Sequence, residues 1–295
     1  MFLQRRIGEA TVTNVTELIG PTHDPERVFA DLPRDEFEAL VPWLEPFHYV
    51  RGNNRLIVGI QIWIIHLGDE IIVIDGGIGN RKARGLPRFD QLNTMVPVWF
   101  EAAGAPFDKV TQVVNTHLHS DHVGWNTIAD GKGGWKRTFP NARYLMPRSD
   151  WEYWQRVLAE TGGVGESEAL VDSVVPLIET DQVEFYGEGH EFAPGLVARS
   201  ARGHTPGQMR LDLNSNGETG IFCADIFHSP LQILRPELNT PFCVEQDRAR
   251  ATRKAFLDEV AGTGTLVMPC HFGYPHCVTV IRGADGAFAF VPEAR

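Results

Sequence analysis

The stretch Val113-Val114-Asn115-Thr116-His117-Leu118-His119-Ser120-Asp121-His122-Val123-Gly124-Trp125 decides how the rest of the chain is read. Its opening belongs to an apolar, β-branched run, Val110 to Asn115, that predicts a short buried strand. Where that strand stops, His117, His119, Asp121 and His122 follow within six residues. On a loop leaving a strand these side chains can converge on one point, and imidazole with carboxylate suits zinc or a similar borderline divalent ion. An isolated His-x-His reads equally well as a polar surface loop. With HxHxDH directly behind an apolar strand, the metal reading prevails.

Working outward, three more metal-ligating residues stand at predicted strand ends. His204 sits in Gly203-His204-Thr205-Pro206-Gly207, a turn that would hold its ring; Asp225 follows Ile221 to Ala224; His271 follows Leu266 to Cys270. Each alone would more often be structural, satisfying backbone groups. Together with the motif they make seven ligands, too many for one zinc but enough for two ions bridged by one carboxylate.

Strands are predicted at 10–19, 56–67 and 71–74, the last ending in Asp75-Gly76-Gly77, and helices at Arg34 to Leu44 and Gln91 to Ala103, the latter kinked or ended by Pro97. Ser149 to Glu160 reads as a helix with an N-cap serine, and Glu166 to Leu177 as a weaker one limited by Pro176. Short strands fill 182–223, with turns at 187–189 and 214–217. Gln246 to Val260 is a helix, Thr265 to Met268 a strand and Val278 to Val291 a closing hairpin. No linker divides the chain, so a single domain over 1–295 is expected, of two sheets packed together with helices outside. The proline-rich segment 21–53 reads as a lid or a dimer contact.

Length and composition agree with a globular protein: 295 residues, 43% hydrophobic and 22% charged. A net charge of −11 with no local basic patch argues against nucleic acid as a partner. The arginines of the N-terminal decapeptide lack an apolar run behind them, which argues against a secretory signal, and Leu56 to Ile74 is too interrupted to span a membrane. A cytoplasmic protein is expected. Cys223, Cys243, Cys270 and Cys277 have no CxxC spacing and read as reduced and buried; Cys270 should point away from its neighbour His271. Arg248, Arg250, Arg253 and Lys254 read as a solvated helix face.

These residues as a set resemble the metallo-β-lactamase superfamily, whose signature is HxHxDH followed by separate His, Asp and His ligands in that order. The resemblance implies an α/β (α+β) fold, an αββα sandwich of two mixed sheets with helices on both outer faces, carrying a dinuclear site. It assigns His117, His119 and His204 to one ion, Asp121, His122 and His271 to the other, and Asp225 to both. Asp75 and Thr116 would orient the ligands. Two divalent ions are implied, zinc first, with manganese, iron or cobalt as alternatives. Two dications roughly 3.5 to 4 Å apart make a bridging hydroxide available at neutral pH for attack on a carbonyl or phosphoryl centre. Asp121 would shuttle the proton to the leaving group.

Within the superfamily, the bridging Asp225 differs from the β-lactamases proper, and His119 from the redox di-iron members. The tail after His271 lacks the basic residues of glyoxalase II-like thioesterases. The stretches His119 to Thr127 and Asp225 to Pro236 are similar to the acyl-homoserine lactonase and organophosphate hydrolase branch. The resemblance therefore implies a metal-dependent hydrolase opening a lactone or related carboxylic ester, a quorum-quenching type of activity. An organophosphate or aryl-ester hydrolase, or a non-catalytic metal-dependent ligand sensor, are the alternatives. One departure is His228, where lactonases of the best-known type have a tyrosine three residues after the bridging aspartate; His228 is either a donor to the substrate carbonyl or alkoxide, or a supporting or surface histidine. Trp125, Phe272 and Phe47 are the expected walls of an apolar substrate pocket. The expected partner is a small lactone or ester, with a homodimer as the assembly.

Overall fold

Val113 and Val114 lie in a wholly buried three-residue strand, Gln112–Val114, paired in parallel with Glu70–Ile74 on one side and Arg143–Pro147 on the other. An uninterrupted apolar run is what a central parallel strand requires, since both of its faces are covered. The computed structural model describes residues 2–180 and 182–293. The chain forms two compact units, one of the residues up to Glu17 with Ile60–Pro194, the other of Leu18–Gly59 with the chain from Gly195 onward.

The sheet of the first unit runs in the order Phe2–Ile7, Ala10–His23, Arg55–Leu67, Glu70–Ile74, Gln112–Val114, Arg143–Pro147, Val183–Tyr186. It is mixed: hairpins join the first two strands and the middle pair, and the last four strands are parallel. Helix Arg148–Thr161 drives the fully buried Trp154 into a cluster with Val113, Phe100, Phe139, Tyr144 and Met146. The sheet of the second unit is also mixed. Its strands Leu196–Ser200, Met209–Ser215, Glu218–Ala224, Leu266–Pro269, Val278–Arg282 and Phe288–Pro292 are antiparallel except for the parallel pair Glu218–Ala224 and Leu266–Pro269. The turn expected at 214–217 is a two-residue hairpin, with Asn216 and Gly217 both at positive φ as an Asn-Gly turn demands. Helix Gln246–Val260 buries Phe256, Leu257 and Val260 against Ile221, Phe227 and Val267.

Several boundaries differ from the sequence reading. The helix expected from Gln91 begins only at Val96, with Pro97 in its first turn, because a proline that would break a helix interior is well placed at its start. Ser149 does not cap its helix, which starts at Arg148 after Pro147. The segment 166–177 breaks into the short helices Glu168–Ser173 and Val175–Ile178. Strands Phe2–Ile7 and Arg143–Pro147 and the small hairpin Thr127–Ala129 with Trp135–Arg137 had no clear period of their own and are decided by their partners. Among the described residues, no helix is long and apolar enough to cross a membrane.

Candidate metal-binding residues

In the first unit the strand Gln112–Val114 delivers the motif, and a short helical turn, Ser120–Val123, carries Asp121 and His122. Asp75, at the end of the adjacent strand, adopts a left-handed φ of 59°, a conformation that aspartate tolerates better than most residues. That kink aims its fully buried carboxylate at the motif. Oδ1 accepts from the Thr116 backbone N–H at 2.7 Å, and Oδ2 accepts from Thr116 Oγ1 at 2.8 Å and stands 2.9 Å from His122 Nδ1.

This network dictates tautomers. A carboxylate only accepts, so His122 Nδ1 carries a proton, and in the neutral ring its Nε2 keeps a lone pair. Thr116 gives its one hydroxyl proton to Asp75, so across the 3.1 Å contact with His117 Nδ1 it accepts, and His117 Nε2 also keeps its lone pair. His117 Nε2 lies 3.2 Å from His119 Nδ1, and the rings of His117 and His122 are 4.0 Å apart. Asp121 Oδ1 is 3.7 Å from His122 Nε2, with its side chain partly open to solvent.

Three buried groups missed by the sequence reading hold this loop. Asp150 Oδ2 accepts from the backbone N–H of Leu118, between two motif histidines, at 2.8 Å. Asn115 Nδ2 donates to the His122 carbonyl at 2.8 Å. Glu17 accepts from Ile78 N at 2.6 Å, Gly79 N at 3.1 Å and Trp125 Nε1 at 2.7 Å, pinning the loop behind Asp75. Burial pushes the Glu17 carboxyl up to about 7 against the pull of those donors. Gly124 has a steric reason: a Cβ there would fall 1.8 Å from the Ile78 carbonyl oxygen.

In the second unit, His204, Asp225, His228 and His271 gather around one oxygen. Asp225 Oδ2 lies 2.9 Å from His271 Nε2, 3.3 Å from His204 Nε2 and 3.3 Å from His228 Nε2. The strand Glu218–Ala224 is irregular between Phe222 and Ala224, and Ala224 takes a left-handed φ of 49°, which turns Asp225 out of the ladder. Gly203 has φ 133°, and a Cβ on it would lie 2.3 Å from Ala249 N, so only glycine lets the start of helix Gln246–Val260 come this close to the His204 turn. His204 Nδ1 is 3.7 Å from the buried thiol of Cys243.

His271 Nδ1 stands 2.9 Å from the Gly59 carbonyl, which can only accept; Nδ1 therefore carries a proton, and in the neutral ring Nε2 presents a lone pair. Nε2 faces a carboxylate oxygen at 2.9 Å. At that distance the two atoms share either a proton, on a doubly protonated ring, or a metal ion. Nitrogen lone pairs and carboxylate oxygens in this arrangement fit borderline divalent ions, and the 3.2 Å His117–His119 separation matches two nitrogens on one ion at about 2.0 to 2.1 Å each.

Burial lowers the pKa of the His228 imidazole, with Asp225 beside it pulling the other way. The backbone N–H of His228 donates to Gln232 Oε1 at 2.7 Å, which sets its place in the turn. Arg253 corrects the sequence reading: instead of joining a solvated face it is 0% exposed. Its position shares the inward stripe of Ala249, Phe256 and Val260, and it donates to the carbonyls of Ile226, Pro236 and Leu238 and to Asn239 Oδ1. It thereby ties down the segment that follows Asp225. The expected pocket walls differ in exposure. Trp125 and Phe272 are 2% and 1% exposed and belong to core clusters, whereas Phe47 is 45% exposed against the ring of Tyr274 at 5.1 Å. All four cysteines are free thiols and buried.

The family model of the metallo-beta-lactamase superfamily matches residues 57–283, most of the chain, and the chain belongs to that superfamily, as a metal-dependent hydrolase by class. No curated protein sequence matches it. Among solved structures it is similar to the hydrolase AbOPH of the beta-lactamase superfamily, at 22% identity over 99% of this chain and 97% of that one, with a TM-score of 0.82. It is also similar to AidC, a dizinc quorum-quenching lactonase solved with the product N-hexanoyl-L-homoserine (20% identity, 100% and 98% covered, TM-score 0.77). A third is described as a probable metal-dependent hydrolase from Staphylococcus aureus (15% identity, 99% and 99% covered, TM-score 0.74). At these identities the likeness establishes the fold, a mixed α/β metallo-β-lactamase fold with two mixed sheets.

Proposed function

We propose that His117, His119, Asp121, His122, His204, Asp225 and His271 together hold two divalent ions, zinc first, and that the protein opens a lactone or cleaves a related carboxylic ester. The observation that carries the metal reading is the convergence of His271 Nε2 and His204 Nε2 on Asp225 Oδ2, at 2.9 and 3.3 Å. Full-length likeness to a dizinc lactonase supports the substrate class. In this reading the whole chain works as one domain.

When bound, the two ions supply Lewis acidity toward the acyl oxygen and lower the pKa of water. The chain's own residues do the rest. Asp75 and Thr116 orient His122 and His117 so that, in the neutral rings, the Nε2 lone pairs are left for the metal. Asp121, partly open to solvent, takes the proton lost by the attacking water on a carboxylate oxygen and returns it to the departing alkoxide. One acyl C–O bond forms and one breaks, and the hydroxy acid produced releases a proton.

That proton is the assay. Metal-loaded and chelator-stripped protein are compared in weak buffer on acyl-homoserine lactones, simple γ- and δ-lactones, an aryl ester and a phosphotriester. Metal-dependent acid release from the lactones is the expected result. Turnover confined to the aryl ester or phosphotriester would replace the substrate class, and no turnover of any of them with two ions bound would replace the catalytic reading by a ligand sensor.

A further inference from the structure

We infer that His228 is itself a metal ligand, an additional imidazole on the ion held by His204 and Asp225. The inference rests on the metal reading above and extends its ligand set. His228 is buried, 7% exposed, in a setting made of other ligands: its ring stacks on His271 at 5.4 Å with an interplanar angle of 8° and meets the ring of His204 at 4.8 Å. Ligand atoms of His204, Asp225 and His228 all lie within 4.8 Å of one another.

Two features separate a ligand from a bystander. Nε2 of His228 is 3.3 Å from Asp225 Oδ2, the same distance as Nε2 of His204 from that oxygen, and ligand atoms on one ion at about 2.0 to 2.1 Å and near-tetrahedral angles stand about 3.3 Å apart. Yet neither ring nitrogen of His228 makes a hydrogen bond among the described residues, so Nε2 is close to the carboxylate oxygen without being aimed at it. A buried imidazole used as a hydrogen-bond donor would point its N–H at an acceptor. A ring whose in-plane lone pair is directed beside the oxygen instead suits an ion that both atoms share. Coordination through Nε2 also gives the turn Asp225 to Ser229 a reason for its shape, since the His228 backbone is clamped by Gln232 in a position that brings its ring to Asp225.

The test uses the full chain stripped of metal and reloaded with cobalt(II). Wild type, His228→Ala and His228→Gln are compared by competition against a chromophoric chelator and by the visible ligand-field spectrum of the cobalt protein, with the thermal midpoint of the metal-free forms as the control for folding. The expected result is that both variants lose at least about tenfold in affinity for one of the two ions and change the cobalt spectrum, while the metal-free midpoints stay together. Variants that keep both affinities and the wild-type spectrum would overturn the inference and leave the seven-residue centre standing. Wild type binding fewer than two ions would instead overturn that centre. Should both variants fail to fold, the wild-type protein loaded with cadmium-113 decides: cadmium–nitrogen coupling at His228 in addition to His117, His119, His122, His204 and His271 supports the inference, and coupling at those five alone overturns it.

Discussion

Trp125 donates its indole N–H to Glu17 Oε1 over 2.7 Å, although the two residues are 108 positions apart in the chain. The same carboxylate receives the backbone N–H groups of Ile78 and Gly79, so one buried acid ties together the loop behind Asp75 and the turn behind His122. Its pKa, raised by burial to about 7, has a consequence for stability. Between about 4.5 and 7 the native state holds a proton that the unfolded state has released, so the contribution of Glu17 is fully present below that window and is lost as pH rises through it. Relative to Glu17→Gln, wild type should lose at most about 3 kcal/mol across that range and nothing further above it. Urea unfolding of both proteins at pH 5, 6, 7 and 8 measures this, and parallel curves would show that Glu17 is ionised throughout.

Asp75 receives three donors, two from Thr116 and one from His122. An amide in its place must turn its own N–H groups toward one of them. Asp75→Asn is expected to weaken metal binding by about 10- to 100-fold, because the His122 tautomer is no longer held. Isothermal titration of the metal-free protein reads the affinity directly; an unchanged affinity would reduce Asp75 to a fold-holding role.

Among the described residues Arg253 makes four hydrogen bonds to uncharged oxygens, three of them backbone carbonyls. Arg253→Met removes the donors and leaves those oxygens buried. A loss of at least about 3 kcal/mol of unfolding free energy follows at the cost of an unmade hydrogen bond, with Arg253→Lys between the two because an ammonium cannot span the same acceptors. Denaturant unfolding of the metal-free forms tests it.

His48 is buried between the rings of Phe272 and Phe290, and burial, with the charge of His276 adding to it, lowers its pKa to about 4. The unfolded chain therefore binds a proton near pH 6.5 that the native state refuses until about 4. Stability present above 6.5 is lost as pH falls through this window, by up to about 3 kcal/mol. His48→Phe should flatten that acid limb between pH 6.5 and 4.5 in urea titrations, and an unaltered slope would assign the acid sensitivity elsewhere.

Helix Arg34–Leu44 and helix Gln246–Val260 were legible to the residue, because their apolar positions recur with the helical period and depend on nothing distant. Pro97 and Ser149 were misread for a related reason: each has a preferred place in a helix, but the strand or loop entering the helix decides where the first turn begins. Arg253 was misread because a cation on a charged helix looks solvated until the carbonyls that surround it are known.

By itself the sequence determined the superfamily, the donors offered for metal and the strand ends that present them, since a ligand motif behind an apolar strand is written in adjacent residues. Only the tertiary structure decided which nitrogen of His122, His117 and His271 meets a fixed partner, that Glu17, Asp150 and Arg253 hold the loops of the candidate ligands, and that His228 Nε2 comes within 3.3 Å of Asp225 Oδ2. Those outcomes rest on buried polar groups that must find partners far along the chain, and no local period records a hydrogen bond between residues 108 positions apart.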